Sequence, residues 1–564
     1  MKKALIFITL LIFTTLLGCN LTTTKIDTTA ELTDITSSDL TTNFTEVTTS
    51  SEVNTTNSTS ADITTLLETT TQTTTQTTTQ TTTQQTTEVT YDRFQDIYLY
   101  SLNDFHGGAY LNFESLSSIS GEIRYMKDNY DHVLALMNGD TLQGTAISNY
   151  YYGRPIIDVM NSAGFDGFTI GNHEFDWGIE KIGTYNDDNL ENGEAQFPIL
   201  AANIVYKDTN QPLEFTQPYL ISEVNGVRVG VIGVIGNVIN SIAASRVENI
   251  RFLDPVDTIE DYAYQLRTEE NVDIVVVYLH SGSDINYDIA RLSGNYKVDA
   301  VFNGHTHSSE TGTIDRIGSD LVYAQASANT YSLMAKIKLT YDTELQEIVS
   351  AVASTLSSSS LSKTDSETND IINFYKNDSV YLEFVNEVLT NSVGNFYRED
   401  LGVWGASVIR DYLGIDIGAV NYGGFRTPIY QGNVTMGDLV TVYPFDNVIK
   451  TSRMTGQQIT DFYLDDPYDI AFDDNLSTDG YTVFIDNVPL DPDKYYTVGA
   501  VDYIFDKQDF DFLDGIDITN TEQYMRDLLV MDLLNSNNSF NPYHGTYYSE
   551  PLSYFYEEIF VPIR

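Results

Sequence analysis

Five of the seven histidines in this chain follow short apolar segments, and aspartate or asparagine residues follow the same segments. In chain order, the groups that follow the five segments are Asp104 with His106, Asp140, Asn172 with His173, His280, and His305 with His307. Imidazole nitrogens combined with carboxylate and amide oxygens suit Zn, Mn, Fe or Co better than Mg or Ca, which favour shells of oxygen alone. The residue types therefore predict a centre for divalent metal ions of the Zn, Mn, Fe or Co class.

A pair of such ions would serve hydrolysis of a phosphate ester. Two ions about 3.5 to 4 Å apart lower the pKa of a bridging water, bind phosphoryl oxygens and neutralise the charge that develops during in-line displacement. The nucleophile would then be hydroxide and not a protein side chain. Each short motif alone could be an ordinary surface loop, so the prediction depends on all five of them lying at strand ends.

The apolar segments that precede these groups are predicted to be buried strands, separated by longer helix-like segments. The five segments are residues 96–102, 132–137, 167–170, 273–279 and 298–302. A parallel or mixed sheet gathers the carboxyl ends of its strands along one edge, where residues distant in sequence converge in a cleft. We therefore expect an α/β metallo-domain over residues 91–355, with all of these groups in one site.

The length of 564 residues exceeds what one core of ordinary size accommodates, so at least two domains are expected. A Ser-rich, polar stretch at residues 354–366 precedes a helical segment that ends near residue 391. This composition predicts a linker with a connecting helix at residues 356–391. A second domain is then expected over residues 392–564.

Residues 1–19 have the layout of an export signal, with two lysines before an apolar stretch that ends in Gly-Cys. The sequence Leu-Leu-Gly-Cys at residues 16–19 resembles a bacterial lipobox, which implies that Cys19 receives lipid and becomes the mature N-terminus. We therefore expect an exported protein, lipid-anchored to the outer face of the bacterial cell membrane; a plain secretory signal is the alternative. Because Cys19 is the only cysteine, disulfides and cysteine-based metal sites are excluded.

Residues 20–90 are rich in Thr, Ser and Gln and include four consecutive Thr-Thr-Thr-Gln units at residues 69–84. Such a segment has too few apolar side chains to form a core, so a disordered tether is predicted. A flexible coil of this length reaches on the order of 45 to 50 Å. The tether would hold the globular part clear of the membrane.

The formal net charge is −51, from 80 acidic and 29 basic side chains. Nucleic acid polymers and anionic lipid surfaces are poor partners for such a chain because their phosphates would be repelled. A small anionic substrate can be bound only where metal ions and a few arginines reverse the local field. The charge does not predict an oligomeric state.

The motifs together resemble the calcineurin-like metallophosphoesterases, and in particular their 5'-nucleotidase family. The resemblance covers nearly all of residues 92–564 and is carried by Asn-Asp-Phe-His-Gly at residues 103–107, Gly-Asp at 139–140, Gly-Asn-His-Glu-Phe-Asp at 171–176 and Gly-His-Thr-His at 304–307. It implies a four-layer α/β/β/α sandwich followed by a second α/β domain that binds the nucleotide.

The same resemblance implies a role for each residue of the metal centre. One ion would be held by Asp104, His106 and His307. The other would be held by Asn172, His280 and His305, with Asp140 bridging the two. His173 would stabilise the transition state or protonate the leaving oxygen, with Asp176 orienting its imidazole. The alternative for His173 is a ligand or supporting role beside the metal.

In the second half, Asn-Tyr-Gly-Gly-Phe-Arg at residues 421–426 and Tyr-Pro-Phe-Asp-Asn at 443–447 resemble the substrate-binding segments of this family. Arginine would bind phosphate, aromatic rings would stack on the base, glycines would let backbone approach the ligand, and an aspartate would bind the ribose hydroxyls. Carried over residue by residue, the implied substrate-binding set is Arg398, Asn421, Gly423, Gly424, Arg426, Phe445, Tyr503 and Asp509. Lys507 and Gln508 replace a glycine pair of the family directly before Asp509.

The resemblance implies hydrolysis of nucleotides to nucleoside and phosphate outside the cell. The same two-domain plan also serves 2',3'-cyclic nucleotide phosphodiesterases, 3'-nucleotidases and pyrophosphatases that act on UDP-sugars or dinucleotides. A non-catalytic surface lipoprotein that captures nucleotides is the alternative from a different class.

Overall fold

The computed structural model describes residues 91–109, 112–327, 332–357, 359–465 and 469–544, which belong to one compact unit. The export signal, Cys19 and the tether lie outside the described residues. Within the described ranges, no helix combines the length and the apolar character needed to cross a membrane.

The N-terminal half alternates strands and helices. Its strands are β1 (Phe94–Leu102), β2 (Val133–Asn138), β3 (Gly167–Thr169), β4 (Ile199–Leu200), β5 (Ile204–Tyr206), β6 (Tyr219–Val224), β7 (Val227–Ile235), β8 (Ile250–Phe252), β9 (Ile274–His280), β10 (Ala300–Phe302), β11 (Glu310–Ile314), β12 (Leu321–Gln325), β13 (Ser332–Asp342) and β14 (Glu347–Ser357). Its helices are α1 (Ser115–Asn129), α2 (Ala146–Tyr150), α3 (Arg154–Ala163), α4 (Ile179–Gly183), α5 (Pro255–Thr268), α6 (Asn286–Ile289), α7 (Ser366–Lys376) and α8 (Ser379–Val385).

Two six-stranded mixed sheets form the centre of this half, with strand orders β14-β13-β1-β2-β3-β4 and β11-β12-β10-β9-β7-β6. Successive side chains of a strand point to opposite faces of its sheet. Accordingly, Ile97 and Leu99 of β1 pack in the cluster between the two sheets, whereas Tyr98 and Tyr100 pack in the cluster that contains α1 and α3. On the far side, the second sheet packs against Ile259 and its neighbours on α5. The predicted four-layer α/β/β/α sandwich is confirmed.

The five strands predicted from sequence are present as β1, β2, β3, β9 and β10, but they lie in two sheets. β1, β2 and β3 are parallel neighbours in the first sheet, and β9 and β10 are parallel neighbours in the second. β9 is buried along its whole length, as expected for a central parallel strand that is covered on both faces. The carboxyl ends of all five strands carry the predicted metal-binding groups.

The C-terminal half has its own sheet and core. Its strands are β15 (Val388–Ser392), β16 (Ile417–Asn421), β17 (Gly432–Thr435), β18 (Val448–Thr455), β19 (Ile470–Phe472), β20 (Leu476–Thr478), β21 (Val483–Ile485), β22 (Val488–Pro489), β23 (Tyr495–Val501) and β24 (Ile516–Tyr524). Its helices are α9 (Arg398–Leu413), α10 (Met436–Val442), α11 (Gly456–Leu464), α12 (Asp502–Phe505) and α13 (Met525–Asn535). A five-stranded sheet, ordered β19-β16-β23-β18-β24, packs against α9.

The connecting helices pack with the N-terminal half. Ile372 and Tyr375 of α7 and Tyr381 of α8 belong to the same hydrophobic cluster as α1 and α3. Residues from Leu389 onward form the separate core of the C-terminal half. The domain limits expected from composition, with a linker at residues 356–391, stay a prediction.

A buried histidine away from the metal-binding groups makes a pH-dependent contribution to stability. His132 is 3% exposed, and neither ring nitrogen has a hydrogen-bond partner among the described residues. Burial lowers the pKa of His132 from the usual 6.5 to about 4. Because the folded state holds the neutral imidazole, its stabilising contribution is complete above pH 6.5 and is lost as the pH falls towards 4.

We expect His132→Leu to remove this acid sensitivity. Between pH 7 and pH 4.5, the wild type should lose about 2 to 3 kcal/mol more of its free energy of unfolding than the variant does. Urea titrations of both proteins at the two pH values measure the difference. Equal losses in the two proteins would show that His132 does not titrate in this window.

Candidate metal centre and substrate cavity

The loops that follow the five parallel strands meet at one edge of the two sheets. The structure brings together the donor atoms of all the histidines and aspartates predicted as metal ligands, although the residues are spread over about two hundred positions. Within each of three overlapping groups, the ligand atoms lie within 4.8 Å of one another: Asp104, His106 and His307; His106, Asp140 and His173; and Asp140, His280 and His305. Asn172 joins the third group, because its Oδ1 lies 2.8 Å from His305 Nδ1 and 3.2 Å from His280 Nε2.

The donor chemistry at His280 fits a metal ion. His280 Nδ1 lies 2.9 Å from the backbone oxygen of Asn138, so Nδ1 carries a proton and Nε2 faces Asp140 Oδ2 at 3.2 Å. Burial opposes a charged imidazole here, but Asp140, Asp104 and the Asn138 carbonyl together outweigh burial and raise the pKa of His280 to about 10. A position that holds a proton so firmly is one where a metal ion can replace the proton.

The donor atoms around His106 also fit a metal ion. His106 Nε2 and His307 Nε2 are 3.0 Å apart, and Asp104 Oδ1 lies 3.5 Å from His307 Nε2. Burial lowers the pKa of both imidazoles, to about 4 for His307. Two neutral imidazoles and a carboxylate that converge on one point are the ligands expected of a transition-metal site.

The ligand loops have an unusual backbone. Asp104, His106, Asp140, His305 and His307 all have φ between 49° and 72°, a left-handed region that few residues other than glycine adopt. Such conformations cost on the order of 1 to 3 kcal/mol each and persist where the surroundings hold them in place. Five of the seven predicted ligands lie at such positions, so the fold maintains this backbone where it aims donor atoms.

Gly139 and Gly171 allow the loops to approach the ligands closely. A Cβ on Gly139, whose φ is 78°, would lie 2.2 Å from His280 Nδ1. A Cβ on Gly171 would lie 2.5 Å from Asp140 Oδ1. Any larger residue at either position would therefore displace a ligand.

Glu174 holds the two ligand loops together, and sequence reasoning did not identify it. Its buried carboxylate accepts hydrogen bonds from four backbone amides: those of Asp140 and Gly171 at 2.8 Å, Thr141 at 2.9 Å and Leu142 at 3.2 Å. These bonds tie the loop after β2 to the loop after β3 and so position Asp140. The glutamate lies next to Asn172-His173 in the same motif, which was the available sequence signal.

His173 stands at the junction between the metal centre and the cavity. Its Nδ1 lies 2.7 Å from Asp176 Oδ2, and its backbone N–H donates to Asp140 Oδ1 at 2.8 Å. Burial lowers the pKa of His173, but the charges of Asp176 and Asp140 outweigh burial and raise the pKa above its usual value. The pair has the geometry of an oriented imidazole that can donate a proton through Nε2. His173 also belongs to one of the three groups, so a ligand role is geometrically open to it as well.

A cavity of about 400 Å³ joins this centre to the C-terminal half. Its volume is within the range of small-molecule sites. The lining residues that the sequence analysis had singled out are Asp140, Asn172, His173, Asp176, His305, His307, Asn421, Gly423, Arg426, Phe445 and Tyr503. The lining residues that it missed are Ser241, Ala243, Arg246, Thr306, Asp446, Asn447 and Asp469.

Residues 443–447 of the C-terminal half, which we call the aromatic segment, lie against the metal centre. The ring of Phe445 lies nearly parallel to the His173 ring, with centroids 5.8 Å apart, and the Arg426 guanidinium lies 5.8 Å from the same phenyl ring. The backbone oxygen of Pro444 accepts from Asn149 Nδ2 at 3.0 Å and from Gln143 Nε2 at 3.3 Å. These bonds from the N-terminal half position the segment across the boundary.

Three residues of the implied substrate-binding set do not line the cavity. Arg398 is exposed as the first residue of α9. Gly424 is buried behind the turn, where an added Cβ would lie 2.9 Å from the Tyr443 ring. Asp509 is exposed.

Lys507 and Gln508, which replace the glycine pair of the family, directly precede Asp509. Lys507 lies across Tyr503, with Nζ 3.7 Å from the ring centroid, and the long lysine stem is partly buried there. Gln508 and Asp509 are then directed to solvent. Glycines at these positions would leave room for the loop to fold inward.

The fold and the site define a two-part hydrolase that binds divalent metals, and the comparisons give its family. Residues 99–309 match the calcineurin-like phosphoesterases, and residues 380–514 match the 5'-nucleotidase C-terminal domain. The chain belongs to the metallophosphoesterases of the 5'-nucleotidase family, as the sequence motifs indicated.

Individual relatives are distant. The chain is 26% identical to an apyrase of Tabanus yao, over 64% of this chain and 72% of the apyrase. It is 24% identical to the endonuclease YhcR of Bacillus subtilis, over 71% of this chain and 36% of that protein. The chain thus spans about a third to three quarters of the length of these curated relatives. The crystal structure of a 5'-nucleotidase precursor from Thermus thermophilus has the same fold, with a TM-score of 0.63 and 20% identity over 79% of this chain and 97% of that chain.

Proposed function

We propose that this protein hydrolyses the 5'-phosphate ester of nucleotides and releases nucleoside and inorganic phosphate. The observation that carries the proposal is the shared cavity, which is lined by four of the predicted metal ligands, two arginines and two aromatic rings. A phosphate at the metal centre would place the nucleoside beside the rings of Phe445 and Tyr503. Stacking on such rings stabilises a bound base by about 1 to 3 kcal/mol and discriminates little between bases.

Asp104, His106 and His307 would hold one divalent ion, Asn172, His280 and His305 a second, and Asp140 would be shared. When bound, the ions supply Lewis acidity and lower the pKa of a water molecule. The fork of the Arg426 guanidinium suits two phosphate oxygens. The charge of Arg426 also offsets the carboxylates of the cavity.

The remaining step requires a proton at the leaving oxygen. Water attacks phosphorus, the ester P–O bond breaks, and the departing 5' oxygen of the nucleoside takes a proton. His173 Nε2 supplies this proton or stabilises the charge, while Asp176 keeps the ring in position through Nδ1. The ring of Phe445 covers one face of the His173 imidazole.

Phosphate release from a panel of substrates tests the proposal. Protein loaded with Mn or Zn is incubated with AMP, ADP, UDP-glucose and 2',3'-cyclic AMP, and the metal content of the same sample is measured. We expect AMP to be hydrolysed fastest and a chelator to abolish the reaction. Preference for the cyclic substrate or for UDP-glucose would replace the proposal with one of the related activities, and no release from any substrate would favour nucleotide capture without catalysis. A further reaction with an RNA oligonucleotide tests whether the negative charge of the protein prevents it from acting on nucleic acid polymers.

We also propose that the protein works outside the cell, anchored through lipid on Cys19. The support is the sequence of residues 1–19 and the Thr-rich segment that follows it. Cys19→Ser should move the protein from the membrane fraction of expressing bacteria to the medium or the soluble fraction. An unchanged membrane fraction would contradict the anchor.

A further inference from the structure

An unassigned carboxylate lines the cavity next to the substrate-binding turn. Asp469 directly precedes β19, and its backbone oxygen accepts a hydrogen bond of 2.8 Å from the backbone N–H of Tyr422. An added Cβ on Gly423, which also lines the cavity, would lie 3.8 Å from both carboxylate oxygens of Asp469. The backbone bond thus holds this acidic side chain beside the turn that approaches the ligand.

The charge of Asp469 also acts on the second aromatic ring. Burial raises the pKa of the Tyr503 hydroxyl to about 12, and Asp469 is the largest charge that adds to this effect. The negative charge therefore lies near Tyr503, one of the two rings proposed to stack on the base. Lys507 occupies a position 3.7 Å from the centroid of the same ring, while the Tyr503 side chain also lines the cavity.

We propose that Asp469, and not Asp509, accepts hydrogen bonds from the neutral donor groups of the bound nucleoside; this inference rests on the proposed function. A carboxylate repels phosphate, so it suits the end of the substrate away from the metal centre. Its two oxygens can accept from vicinal ribose hydroxyls or from N–H groups of the base. Both carboxylates are exposed, but Asp469 lines the cavity and Asp509 does not. The acceptor thus lies on the loop that precedes β19 and not on the loop that carries Lys507 and Gln508.

Binding of adenosine, measured by calorimetry on the Mn-loaded full chain, tests this assignment without requiring hydrolysis. Asp469→Asn should weaken adenosine binding about tenfold or more, because a hydrogen bond to a charged group is replaced by one to an amide. Asp465→Asn, a change at an exposed carboxylate of the neighbouring helix end, is the matched control and should leave the affinity within about twofold. Asp509→Asn tests the position implied by the family resemblance.

Two analogues of adenosine identify which of its groups donates a hydrogen bond to Asp469. With 2',3'-dideoxyadenosine, which lacks both hydroxyls, the penalty of Asp469→Asn should disappear if the ribose is the source. With purine riboside, which lacks the amino group of adenine, the penalty should disappear if the base is the source. Either pattern supports the proposal.

Three results would overturn it: wild-type protein that does not bind adenosine, Asp469→Asn with wild-type affinity, or a larger loss in Asp509→Asn. AMP hydrolysis by the same samples separates the two proposals. If adenosine binding depends on Asp469 but AMP is not hydrolysed, the proposed function fails and the assignment of Asp469 stands.

Discussion

His173→Asn is expected to lower the turnover of phosphate release by at least about a hundredfold while leaving the metal content nearly unchanged. The imidazole is the group that can transfer a proton to the leaving oxygen, and an amide cannot do so. The neighbouring ligand Asn172 contacts His280 and His305, and these contacts do not involve the ring of His173. The backbone bond from His173 N–H to Asp140 is also kept in the variant.

Asp176→Asn tests the contribution of the carboxylate that contacts His173, and its expected effect is smaller. The amide can still hydrogen-bond Nδ1 of His173, but the carboxylate charge that raises the pKa of the imidazole is lost. Turnover should fall less than in His173→Asn, with metal content again retained. Turnover of His173→Asn within about tenfold of wild type would remove the imidazole from the chemistry, and loss of metal would identify it as a ligand.

Asp140→Ala is expected to abolish tight metal binding and to lower phosphate release on the order of a thousandfold or more. Asp140 belongs to two of the three groups of donor atoms, so its removal affects both parts of the centre at once. It also removes the carboxylate that balances the buried charge of His280. Metal analysis after dialysis and AMP hydrolysis measure the two effects.

Asp131→Ala provides the matched control. Asp131 is an exposed carboxylate at the amino end of β2, whereas Asp140 follows the carboxyl end of the same strand. The control should retain metal and activity. If Asp140→Ala also retained both, the metal centre would have to lie elsewhere.

Much of the metal half could be predicted from sequence because its strands are local apolar segments with a polar group at one end. The predicted strand at residues 273–279 is observed as Ile274–His280, with every residue buried. Parallel packing places such ends at the same edge, so the ligand types and their approximate meeting point follow from the order of elements. The distribution of the five strands over two sheets did not follow from these segments alone.

The substrate side was less predictable because it is built from loops. Lys507 packs on Tyr503, and Asp509 is directed to solvent, although its motif position implied a contact with the ribose. Arg398 is exposed on α9, away from the cavity. Asp469 and Arg246 line the cavity although no motif marks them. Loop conformation depends on side-chain packing that a motif does not encode.

The sequence by itself determined the kinds of donor atoms, the strands that carry them and the family, because these depend on residue type and local periodicity. Only the tertiary structure decided which loops meet. His305 N–H donates to Asp104 at 3.0 Å although the two residues are 201 positions apart, and Glu174 collects amides from two loops. Such contacts depend on how the two sheets pack and on how the C-terminal half closes over them, and neither is a property of a short segment.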